Sequence, residues 1–198
     1  PLVMDNWPLV SASAIAYDEE QGQVPAELSI AQMEEVIHDF VRATQRADEA
    51  GFDCIELQAG HGYLLSAFIS PLTNRRRDDY GGALENRLRF PLAVFSAMRA
   101  VWPATKPIIV RISATDWAEG GTTVDEAVEI AAQFKAAGVD LMVVSSGEVV
   151  KAQQPIYGRM YQTPFADRIR NEAALPTMAV GAIQNADHAN SIIASGRA

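Results

Sequence analysis

The chain is nearly without cysteine: Cys54 stands alone among 198 residues, so no internal disulfide can form. A lone cysteine opening an apolar run reads as a small core residue on a strand rather than a reactive thiol. No apolar run approaches the roughly 20 residues of a membrane-crossing helix. No signal peptide is visible behind Pro1, and the cytoplasm is the expected compartment. Positive charge is also in short supply. A net charge of -9 argues against nucleic acid or an anionic membrane as a general partner. The one basic cluster, Arg75-Arg76-Arg77, is followed at once by Asp78-Asp79, so it is not a polybasic tail. No spacing of His, Cys and carboxylates suggests a metal. No Gly-x-Gly-x-x-Gly follows a strand, which removes the fingerprint of a dinucleotide-binding Rossmann fold. Hairpin signals are missing too.

What is present is an ordinary globular composition, 48% hydrophobic and 21% charged. Residues 1–28 read as a loop with a short strand around Leu9-Val10. Ser29-x-x-Gln32 is a capping box that opens a helix. Ile30, Met33, Ile37, Phe40, Val41 and Thr44 repeat there at helical spacing, and Gly51 ends the helix as a left-handed cap. A strand runs from Asp53 to Gln58. A long excursion from His61 to Tyr80-Gly81-Gly82 follows, then a helix over about 84–101 closed by Trp102-Pro103. Pro107 to Ser113 is a continuous apolar strand of the kind buried on both faces of a parallel sheet. Thr123-x-x-Glu126 caps a helix that ends at Gly138. A strand from Val139 to Ser145, a helix over about 165–174, a strand from Pro176 to Gly181 and a helix over about 186–195 complete the series.

This rhythm implies parallel strands joined by right-handed crossovers. Long loops follow the strands and short joints precede them. The fold class is α/β, and the asymmetry favours a (β/α)8 TIM barrel with its chemistry at the strand ends. Four strands are read where eight are needed, and a complete barrel takes about 250 residues. The chain, one domain over 1–198, therefore reads as the later part of a barrel.

The stretch Glu56-Leu-Gln-Ala-Gly-His-Gly-Tyr-Leu-Leu65 leaves a strand end and turns into a loop. It places an amide (Gln58), an imidazole (His61) and a phenol (Tyr63) at spacings of three and two. Arg111 is a charge inside an apolar strand, which is costly unless paired; a buried salt bridge is one reading. Gly181 ends a later strand, as a close-approach point or a plain turn. Arg75, Arg76, Asp78 and Asp79 read as a salt-bridged scaffold loop. Trp117 and Tyr157, in strand-end loops, either line a substrate mouth or pack. His188, in a helix, reads as surface. Ser11, Ser13 and Asp116 receive no role.

Several segments resemble the old yellow enzyme family of FMN-dependent ene-reductases. They are Gln58-Ala-Gly-His-Gly-Tyr-Leu-Leu65, Ser70-Pro-Leu-Thr-Asn-Arg-Arg-Arg-Asp-Asp-Tyr-Gly-Gly82, Glu85-Asn-Arg-Leu-Arg-Phe90 and Val110-Arg-Ile-Ser-Ala-Thr-Asp-Trp117. The resemblance runs from about residue 7 to the end. Tyr157-Gly-Arg-Met-Tyr-Gln-Thr-Pro-Phe-Ala-Asp-Arg-Ile-Arg-Asn-Glu172 and Thr177-Met-Ala-Val-Gly-Ala-Ile183 are more closely similar to one subgroup. This is the reductase-type domain of salicylyl-CoA 5-hydroxylase and 2-aminobenzoyl-CoA monooxygenase/reductase, which sits behind a flavin monooxygenase domain.

The resemblance implies FMN as cofactor and NADH or NADPH as reductant. The flavin would pass a hydride to an activated alkene or an aryl-CoA-derived substrate. His61 matches one of two donors to the substrate carbonyl, and Tyr63 matches the proton donor. Gln58 falls where the family has its first histidine. An amide still donates a hydrogen bond but carries no charge, and charge-assisted bonds are roughly twice as strong. Arg111 matches the cation beside the flavin N1 and C2 carbonyl, and Gly181 a backbone approach to the flavin or its phosphate. Implied partners are a small-molecule substrate such as an aryl-CoA thioester, and either a homo-oligomer or a fused flavin monooxygenase domain. Gly196-Arg197 precedes the position of the family's phosphate element and receives no role. The rival reading is a non-catalytic barrel with a structural or docking role. A barrel lyase or aldolase would want a strand-end lysine, and Lys106 and Lys151 lie in loops.

Overall fold

The structure, a computed structural model, describes residues 7–20 and 22–198. The loop read for residues 1–28 lies outside the described residues at 1–6 and at Gln21. Two short strands, β1 (Val10–Ser11) and β2 (Ala26–Glu27), pair in parallel and form a small separate sheet. The helix α1 (Ile30–Glu49) begins at the capping box, with Ser29 accepting from the Gln32 amide. It ends at Ala50, and Gly51 takes the expected left-handed turn at φ 83°.

The main sheet has four parallel strands in the order of the sequence: β3 (Ile55–Ala59), β4 (Ile108–Ser113), β5 (Leu141–Ser145) and β6 (Thr177–Ala179). The helix α2 (Leu64–Ile69) fills part of the excursion that had read as irregular, and α3 (Leu84–Val101) follows it. Then come α4 (Val124–Ala136), α5 (Thr163–Glu172) and α6 (Ala186–Ala194). Sequential parallel strands with a helix after each are the repeating unit of a (β/α) barrel.

Strand register explains which side chains meet. Leu57, Ala59, Ile108, Val110, Ile112, Met142 and Val144 alternate toward the helices and are buried with Phe68, Phe90, Phe95 and Phe134. The Phe68 and Phe90 ring centroids lie 4.6 Å apart, and Phe95 meets Phe134 edge-on. The opposite face carries two rows in register: Glu56, Ile109 and Leu141, then Gln58, Arg111, Val143 and Met178. Only Val143 in these rows is fully buried, and Met178 is 45% exposed. This face is therefore mixed and more open, with Glu56, Gln58 and Arg111 set among apolar neighbours, where the helix-facing side is dry.

Cys54 corrects the sequence reading. It precedes β3, lies in parity with Glu56 and is exposed rather than core. Partial burial, Asp140 and Glu56 raise its thiol pKa, so it is a poor nucleophile. His188 is a second correction. It is buried at the start of α6, where its Nδ1 accepts the Gln184 amide.

Candidate active site

Past the end of each main strand the backbone takes left-handed conformations. His61 has φ 60° after β3, Trp117 has 53° after β4, Glu148 has 63° after β5 and Ala182 has 51° after β6. Non-glycine residues in this region cost of order 1–3 kcal/mol each, and such strain gathers at functional sites. Gly62 (φ 73°) allows the first of these turns to touch the third. A Cβ there would lie 2.5 Å from the Glu148 carbonyl oxygen.

The turn brings Gln58 and His61 together. The Gln58 Oε1 accepts the Gly60 amide at 3.0 Å, and its Nε2 lies 3.3 Å from His61 Nδ1. The Ser113 hydroxyl, at the end of β4, accepts the His61 backbone N–H at 2.9 Å. On the far side of the ring, Nε2 sits 2.7 Å from Ser145 Oγ at the end of β5. Ser145 and Ser146 both donate to Gln162 Oε1, at 3.3 and 2.5 Å, and Gln162 Nε2 donates to the Val180 carbonyl. Trp117 Nε1 donates to Ser146 Oγ. Burial lowers the His61 pKa, and the nearby Arg111 lowers it further, with Glu148 and Glu56 opposing. The net effect favours the neutral ring.

Tyr63 is the first residue before α2 and is 65% exposed. With Tyr17, His61, Gly62 and Glu148 it lines an open cavity of about 490 Å³. It also borders a larger cavity of about 680 Å³, walled largely by apolar residues such as Leu9, Val10, Ile15, Leu64 and Val149. His61 and Tyr63 thus share one cavity.

Arg111 lies beside Gln58 in register and forms the salt bridge that was one of its two readings. Its Nε and Nη2 donate to the two Glu56 carboxylate oxygens at 2.6 and 3.0 Å. The side chain remains 25% exposed on the open face, and its Nη1 makes no hydrogen bond among the described residues. That leaves a cationic donor unpaired among the described residues, which fits an added anionic acceptor such as a reduced flavin ring. Gly181 has φ 94°, and a Cβ there would lie 2.3 Å from Gln162 Nε2. Its local role is to admit the Gln162 and Tyr161 side chains.

The remaining motif residues are scaffold. Asn74 Nδ2 donates to the Phe68 and Tyr80 carbonyls and ties both ends of the excursion together. Arg76 is buried, pairs with Asp78 and donates to the Ala12 and Leu28 carbonyls beside the small sheet. Arg87 is buried too. It donates to the Ile69 and Gly82 carbonyls and pairs with Glu126 at 2.6 Å. Ser13 accepts the Arg75 amide. Trp117 packs on Phe165, and Tyr157 packs edge-on against Tyr161 while staying exposed. Arg197 pairs with Asp167.

Sequence reasoning missed Glu56, Ser113, Ser145, Gln162 and Asp116. Strand parity alone puts Glu56 on the Gln58 face, so that signal was available. Asp116 is 1% exposed, accepts Ser70 Oγ at 2.6 Å and the Thr122 amide at 2.7 Å, and pins the loop after β4 to the end of α2. Among the described residues no group of three or more His, Cys, Asp or Glu side chains converges to hold a metal ion.

Residues 5–198 match the profile of the NADH:flavin oxidoreductase / NADH oxidase family. An NADPH dehydrogenase of Listeria welshimeri is 45% identical over 190 residues, which is 96% of this chain and 55% of that protein. Among solved structures, a 2-naphthoyl-CoA reductase in complex with 2-naphthoyl-CoA superposes with a TM-score of 0.87 at 27% identity. That match covers 96% of this chain and 30% of the other. A morphinone reductase variant in complex with tetrahydroNAD gives 0.76 at 25% identity, over 96% of this chain and 53% of that one. The chain spans about half the length of the curated relatives it matches. The neighbours bear out the partial TIM barrel and the old yellow enzyme resemblance, and the chain belongs to the NADH:flavin oxidoreductase / NADH oxidase family, whose cofactor is FMN and whose reductant is a nicotinamide.

Proposed function

We propose that this chain carries the substrate-facing part of an FMN-dependent NAD(P)H oxidoreductase site that reduces an activated alkene or an aryl-CoA-derived acceptor. The observation that carries the proposal is the joining of β3, β4 and β5 at His61, with the free Nη1 of Arg111 one strand away on the open face. FMN bound there would supply hydride transfer from NADH or NADPH to the acceptor. Arg111 is the residue that would hold the anionic ring, with Glu56 fixing its guanidinium. Gly181 would admit the cofactor only beyond the space that Gln162 already takes.

His61, held by Gln58, is the donor available to an acceptor oxygen that gains negative charge, and preorganised donors of this kind are usually the largest catalytic contribution. Tyr63, exposed in the shared cavity, would deliver the proton. The aryl-CoA class draws support from the 2-naphthoyl-CoA reductase neighbour and from the apolar cavity beside Tyr63. The closer kinship with the reductase-type domain of salicylyl-CoA 5-hydroxylase belongs to the same proposal. So does assembly as a homo-oligomer or with a flavin monooxygenase domain. A purely docking barrel would have no use for an intact polar relay around a strained histidine, which is why the enzymatic reading is preferred.

The test is anaerobic reduction by NADPH or NADH, followed by addition of an aryl-CoA thioester or a small cyclic enone. Reoxidation by the thioester is expected, slowed about 100-fold in His61→Ala. Reoxidation by the enone alone would remove the aryl-CoA class. Reoxidation by neither would favour the docking barrel.

A further inference from the structure

The hydrogen bonds around His61 have a determined direction, and the direction starts at a backbone amide. Gly60 N–H can only donate, so the Gln58 atom that meets it at 3.0 Å is the carbonyl oxygen. The Gln58 atom facing His61 is then the NH2 group, also a donor. His61 Nδ1, 3.3 Å away, must accept, so the single ring proton lies on Nε2. Nε2–H donates to Ser145 Oγ at 2.7 Å, and the Ser145 proton is left for Gln162 Oε1. Gln162 in turn is oriented by its Nε2–H donation to the Val180 carbonyl. Each donor in this series meets an acceptor.

From this geometry we infer that Gln58 is a positioning residue that fixes His61 as the neutral Nε2–H tautomer, holding it as a hydrogen-bond donor and closing it as an acid. An imidazolium would aim an Nδ1–H at the Gln58 NH2, donor against donor. The charged groups facing the ring are Arg111 on β4, Glu56 on β3 and Glu148 in the loop after β5. Burial and Arg111 act with Gln58 against protonation, and the two carboxylates favour it. A substrate oxygen that takes the Nε2–H displaces Ser145 Oγ rather than receiving a proton from the ring, which leaves proton delivery to Tyr63. The inference deepens the proposed oxidoreductase site. Its test reads the imidazole without flavin, so either can fail alone.

The experiment is nitrogen-15 NMR of the His61 ring across pH in the intact protein and in three variants. In the wild type the proton is expected on Nε2 throughout. Ser145→Ala removes the Nε2 acceptor but keeps the Gln58 clamp, so the same tautomer is expected. Gln58→Leu removes the clamp, and a mixture of tautomers is expected. Gln58→Glu still accepts from Gly60 but now offers an acceptor to Nδ1, and the apparent pKa of His61 is expected to rise by about 1 to 3 units. A wild-type ring protonated on Nδ1 would overturn the inference. So would a tautomer that switches in Ser145→Ala, or one that stays unchanged in Gln58→Leu.

Discussion

Asp116 shows at the scale of one residue how the site is held. Burial raises its carboxyl above the ordinary range, and hydrogen bonds from Ser70 and Thr122 pull it only partly back. The folded value thus lies above the unfolded one. The stabilising contribution is complete below the unfolded value, near pH 4, and is lost as pH rises through the folded value. Both hydrogen bonds reach the same oxygen, Oδ2. Asp116→Asn can offer its amide oxygen there without the charge. It is expected to fold and to flatten the fall of Tm with rising pH. Asp116→Leu strands both donors and is expected to lose about 1–3 kcal/mol in urea unfolding. An Asn variant with the wild-type pH slope would show that the slope arises elsewhere.

The strand-end turns set the scale of elements, and Gly181 gives their test. Gly181→Ala places a methyl 2.3 Å from Gln162 Nε2 at a φ of 94°, so both the backbone and Gln162 must move. The expected loss is about 1–3 kcal/mol, together with a shift of the His61 and Ser145 resonances. Gly158→Ala, where nothing lies within 4 Å, is expected to stay within about 0.5 kcal/mol of the wild type. Much at this scale was legible in the sequence. Both capping boxes, the bounds of α3 and the four main strands follow from side-chain spacing and caps. The helix α2 did not, because five of its six residues are buried and it has no polar face to show a period. It also lacks a side-chain cap, since Tyr63 makes none. The short strand read around Leu9-Val10 is β1, one residue further on, whereas β2 is only two residues long, below any alternation. Gln58, His61 and Arg111 are candidate site residues read from a motif. The Ser145 that meets His61 lies 84 residues beyond it, and no local pattern announces it.

The two faces of the sheet define the whole molecule. The helix-facing side is a dry aromatic and aliphatic core, while the other presents Glu56, Gln58 and Arg111 in register. Charged groups persist on a sheet face when they are paired and hydrogen-bonded, and Glu56 supplies that pairing for Arg111. The face that carries Glu56, Gln58 and Arg111 is proposed to belong to a flavin site. The most direct measurement is a visible absorbance spectrum of the protein isolated from its native source, before and after anaerobic NADH or NADPH. A bound flavin that bleaches on addition is expected, with weaker flavin retention in Arg111→Ala. A colourless protein that takes up no added FMN would contradict it.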